Sequence, residues 1–183
     1  ETEHKDVGMK LTLDFHGTNK FIGVGNQGGS PIGMHKNVTI TGEGTLEIKG
    51  SDGADGEGSG VSGTNGGSAV IAEKLTLDYN GTINIVGGRG GHGSKGNDGG
   101  TNVAGTNGGN GGNGGNAVSV DELLIKTNAT ITFIGGNGGN GGNGGKGGDG
   151  RGSTQDGDRT DGKKGGIVHV LTSQARARLV LDE

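Results

Sequence analysis

Few side chains in this sequence combine a reactive type with the spacing that chemistry requires. The five histidines are spread along 183 residues, without paired metal-ligand spacing or a nucleophile motif beside them. The segment GRGGHG at residues 88–93 matches the glycine pattern of a dinucleotide-binding turn, but no helix-forming segment follows it. Cysteine, which would supply thiolate ligands or disulfides, is absent. The sequence therefore predicts a protein that is not an enzyme and binds no cofactor.

One acidic cluster has the composition of a calcium-binding loop. Asp156, Asp158 and Asp161 lie close together in QDGDRTDG, which resembles the DxDxDG loop of an EF-hand with one residue too many. The other interpretation is a solvated turn at which a glycine-rich segment reverses its direction. We expect the turn and keep calcium binding as the alternative.

Repeated asparagines and threonines are the best candidates for a binding surface. Between residues 135 and 150 every third residue is polar, and the two residues between are glycines. A polyproline-II helix has three residues per turn, so this pattern predicts two bare glycine faces and one polar face. The candidate binding residues are Asn107, Asn110, Asn113, Asn137, Asn140 and Asn143 in the glycine tracts and Thr12, Thr39 and Thr76 outside them.

The threonines belong to a repeated unit that is typical of β-strands. Four segments align without gaps and begin at Leu11, Val38, Leu75 and Leu123. Each alternates apolar and polar residues, so the leucines, isoleucines and valines are expected to point inward and the threonines outward. One unit has too little apolar surface to be stable alone, whereas stacked units share a core.

The predicted fold class is all-β: a parallel β-solenoid of about four coils with long glycine-rich polyglycine-II arms packed as a bundle. Residues 1–183 are expected to form a single repeat domain, because the repeated units run through the whole chain. The predicted units span about 7–31, 32–68, 69–116 and 117–166, with a closing segment at 167–183. Two alternatives stay open: each unit is a β-hairpin around a turn such as Asn80-Gly81, or the glycine tracts are disordered linkers.

Backbone hydrogen bonding explains why the glycine faces would matter. The chain contains 49 glycines and only 26% hydrophobic residues, so it cannot bury a large conventional core. A polyproline-II strand has no internal hydrogen bonds, and its amides and carbonyls must meet water or a neighbouring strand. Without side chains, neighbouring backbones can approach closely enough to bond to each other. Both glycine faces are therefore expected to lie against neighbouring arms.

The glycine tracts resemble the polyglycine-II bundles of phage tail-fibre adhesin tips and of springtail antifreeze proteins. The unit LTLDYNGTINIVGG resembles the glycine-rich parallel β-helix repeats of bacterial cell-surface proteins, some of which bind carbohydrate. These resemblances imply adhesion or ice binding. The chain departs from the springtail proteins because it has no cysteines for disulfides, and from phage tips because it has few aromatic residues.

The composition of the chain excludes two classes of partner. A net charge of −4 and an aromatic content of 2% argue against nucleic acid as a partner, and the apolar runs are too short to insert in a membrane. We expect a non-catalytic structural or adhesive protein located outside the cell or at the cell surface. It would be a filament or surface-layer subunit or a receptor-binding tip. Self-association and a glycan or cell-surface receptor are the expected partners, and ice binding or a carbohydrate-binding module are the alternatives.

Overall fold

All the regular elements of the structure, a computed structural model, are β-strands. The structure describes residues 10–25, 28–100, 105–127, 129–143, 168–170 and 176–179. The strands are β1 Lys10–Ile22, β2 Ile32–Lys49, β3 Val70–Val86, β4 Val118–Ile125, β5 Thr130–Ile134, β6 Val168–Val170 and β7 Arg176–Leu179. They pair in the order β1-β2-β3-β4-β6, with β5 also on β3 and β7 also on β4. The predicted all-β class is confirmed.

Successive units pair in parallel and in register. Leu75 of β3 lies opposite Val38 of β2 on one side and Leu123 of β4 on the other, so the aligned sequence positions form rows across the sheet. Asn80 and Gly81 continue within β3 and take part in its parallel pairing with β2. A hairpin would instead place antiparallel strands on either side of this dipeptide. The hairpin alternative is therefore wrong for this unit.

A row of glycines forms a corner in the stacked strands. Gly44 and Gly81 are paired, and both adopt a left-handed backbone conformation, with φ of 109° and 132°. A Cβ on Gly81 would lie 2.1 Å from the carbonyl oxygen of Gly44, so the close stacking also requires glycine. The fourth unit has Ala129 at the aligned position, and there the strand is interrupted between β4 and β5.

The core is formed by the inward-facing residues of the middle strands. Leu77, Ile83 and Ile85 of β3 are fully buried, as is Ile40 of β2. The equivalent residues of β1 are only half-buried, because β1 is the first strand of the described sheet and pairs with β2 alone. The alternation predicted from the sequence therefore matches burial, and the core is open toward the outer side of β1.

Candidate functional site

The glycine-rich segments between the strands are ordered and bonded to one another. We call the segments that leave a strand outward arms; they span residues 50–56, 87–97 and 135–143. Those that enter the next strand, at 61–68 and 105–117, are called return arms. The first unit has only a short connection, which the structure describes at 23–25 and 28–31.

Arms of the same kind pair with the next unit at a three-residue interval. In the outward arms, the amides of Gly90 and Gly93 donate to the carbonyls of Asn137 and Asn140, at 2.8 and 2.9 Å. The return arms pair in the same way, and the amide of Gly63, for example, donates to the carbonyl of Asn110 at 2.9 Å. The amides between these donors point elsewhere: that of Gly91 donates to the carbonyl of Thr64, and that of His92 donates to the carboxylate of Asp55. A backbone with three residues per turn presents every third amide on the same side, as this pattern requires.

A second set of hydrogen bonds runs across the arms and connects outward with return arms. In one row the amides of Gly139, Gly112, Gly91 and Thr64 donate in turn to the carbonyls of Gly112, Gly91, Thr64 and Ala54, at 2.8 to 2.9 Å. This single row joins all five arms. The amides and carbonyls in this row lie outside the β-strands, and each is hydrogen-bonded to the backbone of a neighbouring arm.

Both glycine columns of the arms lie against neighbouring backbone. A Cβ on Gly139 would lie 1.8 Å from the carbonyl oxygen of Gly91, and a Cβ on Gly90 would lie 2.0 Å from that of Gly112. Side chains cannot be accommodated at such distances unless the arms separate. The glycine repeat is therefore a packing requirement in these arms, and the linker alternative does not account for it.

The polar third column has a role that the sequence analysis missed. The amides of Arg89 and His92 each donate to a carboxylate of the preceding unit, at 2.8 Å, and the acceptors are Asp52 and Asp55 respectively. In the return arms, Asn113 donates to the side-chain oxygen of Asn65, also at 2.8 Å. The polar side chain of one unit thus accepts the backbone amide of the next. The three-residue spacing of the polar side chains predicted that they are exposed. It could not predict their hydrogen bonds, because each bond depends on which arm of another unit lies alongside.

Hydroxyl side chains occupy glycine positions where a neighbouring arm ends. The amide of Ala54 donates to the hydroxyl of Thr64, and the amide of Val61 donates to that of Ser94, both at 2.8 Å. Thr106 accepts from Asn97 at 2.8 Å in the same way. A serine or threonine at a position where the repeat otherwise has glycine is the feature of the sequence that could have located these arm ends.

The predicted site residues fall into two separate surfaces. The six asparagines are all exposed on the arms: Asn107, Asn110 and Asn113 on a return arm and Asn137, Asn140 and Asn143 on an outward arm. Thr12, Thr39 and Thr76 form one row across β1, β2 and β3, where Thr12 is exposed and the other two are half-buried. A longer row was not singled out from the sequence, although its members align there; it contains Thr18, Thr45, Thr82 and Thr130.

Charge distinguishes the first two outward arms from the other arms. Their polar column contains Asp52, Asp55, Arg89, His92 and Lys95, whereas the third outward arm carries asparagine and the return arms carry serine and asparagine at the positions between their glycines. The His92 amide is the main cause that lowers the pKa of Asp55, and Arg89 adds to it. Burial acts to raise the pKa of Asp52, but the Arg89 amide and Lys49 together outweigh it, so this pKa is also lowered.

The remaining expectations concern metals and membranes. Asp156, Asp158 and Asp161 lie outside the described residues, so the expected solvated turn stays a prediction and calcium binding stays its alternative. Within the described ranges, no group of three or more histidine or acidic side chains could hold a metal ion. The same part of the chain contains no helix that is long and apolar enough to cross a membrane.

Comparison with known proteins gives no relative on which to base a function. No protein-family model, no curated protein and no solved structure matches the chain.

Proposed function

We propose that the protein is a non-catalytic extracellular structural or adhesive protein that displays a rigid, glycine- and asparagine-rich surface. In this proposal the strands form a parallel solenoid of about four coils, and the arms form a polyglycine-II bundle anchored to it. The observation that carries the proposal is the row of backbone hydrogen bonds from Gly139 to Ala54, which joins all five arms. A loose linker would have no such row.

Rigid display favours binding of an extended polar ligand. Along one arm, polar side chains recur every third residue, which corresponds to about 9 Å at the rise of a polyproline-II helix. Their backbones are already fixed by neighbours, so less conformational entropy is lost when a ligand binds. Asn107 and Asn110 are exposed and offer both amide donors and carbonyl acceptors. An uncharged polysaccharide is the ligand class that best fits the uncharged asparagine columns of the second return arm and the third outward arm.

Adhesion can be tested with paired variants on the two kinds of arm. The return-arm variant carries Asn107→Ala and Asn110→Ala, and the outward-arm variant carries Asn137→Ala and Asn140→Ala. Binding of the full chain to a panel of immobilised neutral polysaccharides is measured for both, for the parent and for the control Lys95→Ala, which changes the charged polar column of the second outward arm. We expect the parent and the control to bind and both asparagine variants to lose most of that binding. No binding by the parent, or parent-like binding by both asparagine variants, would contradict the proposal.

Ice binding is a second candidate because of the threonine rows. Thr18, Thr45, Thr82 and Thr130 are aligned across parallel strands, which lie about 4.8 Å apart in such sheets. A regular row of hydroxyl and methyl groups would match an ordered water surface. Thermal hysteresis of the dilute protein measures this directly, and Thr45→Lys should abolish it. A freezing point equal to the melting point in the parent would remove this candidate.

A further inference from the structure

Two exposed apolar side chains lie at the β1 end of the molecule. Ile22 ends β1 and Val24 follows it, and their exposed fractions are 45% and 88%. The other large apolar side chains that are exposed among the described residues are Val61 in an arm and Ile134 at the end of β5. Ile22 and Val24 therefore leave apolar surface exposed beside the first strand of the sheet.

The edge of β1 is itself open. Leu13, Phe15 and Phe21 pack against the core but are only half-buried, and no described strand pairs with the outer side of β1. A Cβ on Gly44 would lie 2.2 Å from the Gly17 carbonyl oxygen, whereas a Cβ on Gly17 would have nothing within 4 Å. An edge with unpaired backbone groups and an open core is a template for another strand.

We propose that this end binds the same end of a second copy and forms a closed two-fold dimer. The two β1 strands pair antiparallel with Gly17 opposite Gly17, so the two-fold axis passes through the corner. Directly opposite residues in an antiparallel pair lie on the same face of the sheet. Leu13 then packs on Phe21 of the second copy inside, and Asp14 meets Lys20 of the second copy outside.

This register is favoured by complementary charge and shape. The Nζ atom of Lys20 is already 3.0 Å from Glu47 Oε1, and the ammonium group has further N–H groups that can donate to the Asp14 carboxylate of the second copy. On the outer face of the sheet, Glu47 and Lys20 of one copy and Asp14 of the second copy would then form a row of alternating charge across the interface. Thr12 would cover Ile22 of the second copy, which reduces the exposed apolar area. Opposite charges and apolar pairs facing each other across strands each stabilise such a pairing.

A head-to-tail arrangement is less favourable because of a second row of residues. Lys10, Asn37, Lys74, Glu122 and Arg176 occupy successive positions of one row across the sheet. If β1 of a second copy were added after β7, Lys10 would take the register position next to Arg176. Two positive residues would then be neighbours. The head-to-head dimer depends only on the sheet, and not on the adhesive function proposed above.

Charge reversal provides a specific test of the register. Asp14→Lys and Lys20→Asp each place like charges opposite each other, so each variant alone should sediment as a monomer. An equimolar mixture has complementary charges at both contacts and should recover the dimer. Asp78→Lys reverses an exposed charge in the Asp14 row, two strands away, and should remain dimeric like the parent. Sedimentation velocity of the full chain over a range of concentrations measures all of these.

Introduced cysteines test the same register without changing the charges at positions 14 and 20. Position 16 of one copy lies opposite position 18 of the other, and the chain has no cysteine of its own. A mixture of His16→Cys and Thr18→Cys should therefore form a covalent dimer on mild oxidation, whereas Thr45→Cys mixed with either should not. A monomeric parent at all concentrations, polymers larger than dimers, or failure of both mixtures would overturn the proposal.

Discussion

The strands and the arms belong to the same repeated units but are stabilised by different groups. In the strands, side chains such as Leu77 and Ile83 are fully buried, and apolar burial contributes about 25 cal/mol per Å². In the arms, backbone bonds such as Gly112 to Gly91 replace side-chain packing. Each of these contributes a net of about 1 kcal/mol, close to the entropy that ordering one residue costs. The arms therefore depend on the strands for anchoring, while the strands do not depend on the arms in the same way.

The comparison predicts that the largest effect comes from the buried face of the sheet. Leu77→Asp would place an unpaired carboxylate in a fully buried position and should destabilise the fold by more than about 4 kcal/mol. Thr76→Asp, at the adjacent outward position, should cost less than about 1 kcal/mol. Circular dichroism during thermal unfolding measures both. A cooperatively folded Leu77→Asp protein with parent-like stability would be incompatible with an inward-facing Leu77.

In the arms, the most sensitive positions should be glycines. Gly139→Val adds side-chain atoms where even a Cβ would lie 1.8 Å from the Gly91 carbonyl oxygen, so it should separate two arms at a cost of several kcal/mol. Asn140→Ser, at the exposed next position, should cost less than about 0.5 kcal/mol.

Hydrogen exchange separates this effect from global unfolding. Amides of Gly136, Gly139 and Gly142 should exchange slowly in the parent and in Asn140→Ser, and quickly in Gly139→Val. Strand amides should stay protected in all three proteins, because the sheet holds its own core. Fast exchange of these three amides in the parent would contradict the packed-arm description.

Local periodicity in the sequence was enough to predict the buried face of the strands and the close-packed faces of the arms. The alternation around Leu75 and Leu77 gave the buried face of β3, and the spacing of glycines gave the close-packed columns. The turn preference of Asn80-Gly81 was ambiguous, because a hairpin and a corner use the same dipeptide. The bond between the Arg89 amide and Asp52 could not be found locally, since it depends on the alignment of two units far apart in sequence. Local conformation could be predicted from the sequence, whereas contacts between residues far apart in the sequence could not.

A smaller effect is expected where the sheet contains an unpaired polar group. The hydroxyl of Tyr79 is buried and has no hydrogen-bond partner among the residues that the structure describes, and burial, followed by the charge of Glu43, raises its pKa. Tyr79→Phe removes this group and keeps the ring, so it should stabilise the protein by about 1 kcal/mol. Tyr79→Ala is the control and should destabilise by about 3 kcal/mol or more through the cavity it leaves. Destabilisation by Tyr79→Phe in chemical denaturation would indicate that the hydroxyl has a partner.

The smallest predicted effect distinguishes the first two outward arms, which are charged, from the uncharged return arms. The His92 amide donates to Asp55 at 2.8 Å, and the Asn113 amide donates to Asn65 at the same distance. Because the folded-state pKa of Asp55 lies below the ordinary value of 3.8, its contribution is fully present above that pH. It is lost as the pH falls through the lower folded-state pKa. The amide resonance of His92 should therefore shift during acid titration while that of Asn113 stays constant. Asp55→Asn should remove the response, because an amide oxygen accepts the bond but does not titrate in this range. A shift of both resonances at the same pH would show instead that both kinds of arm open in acid.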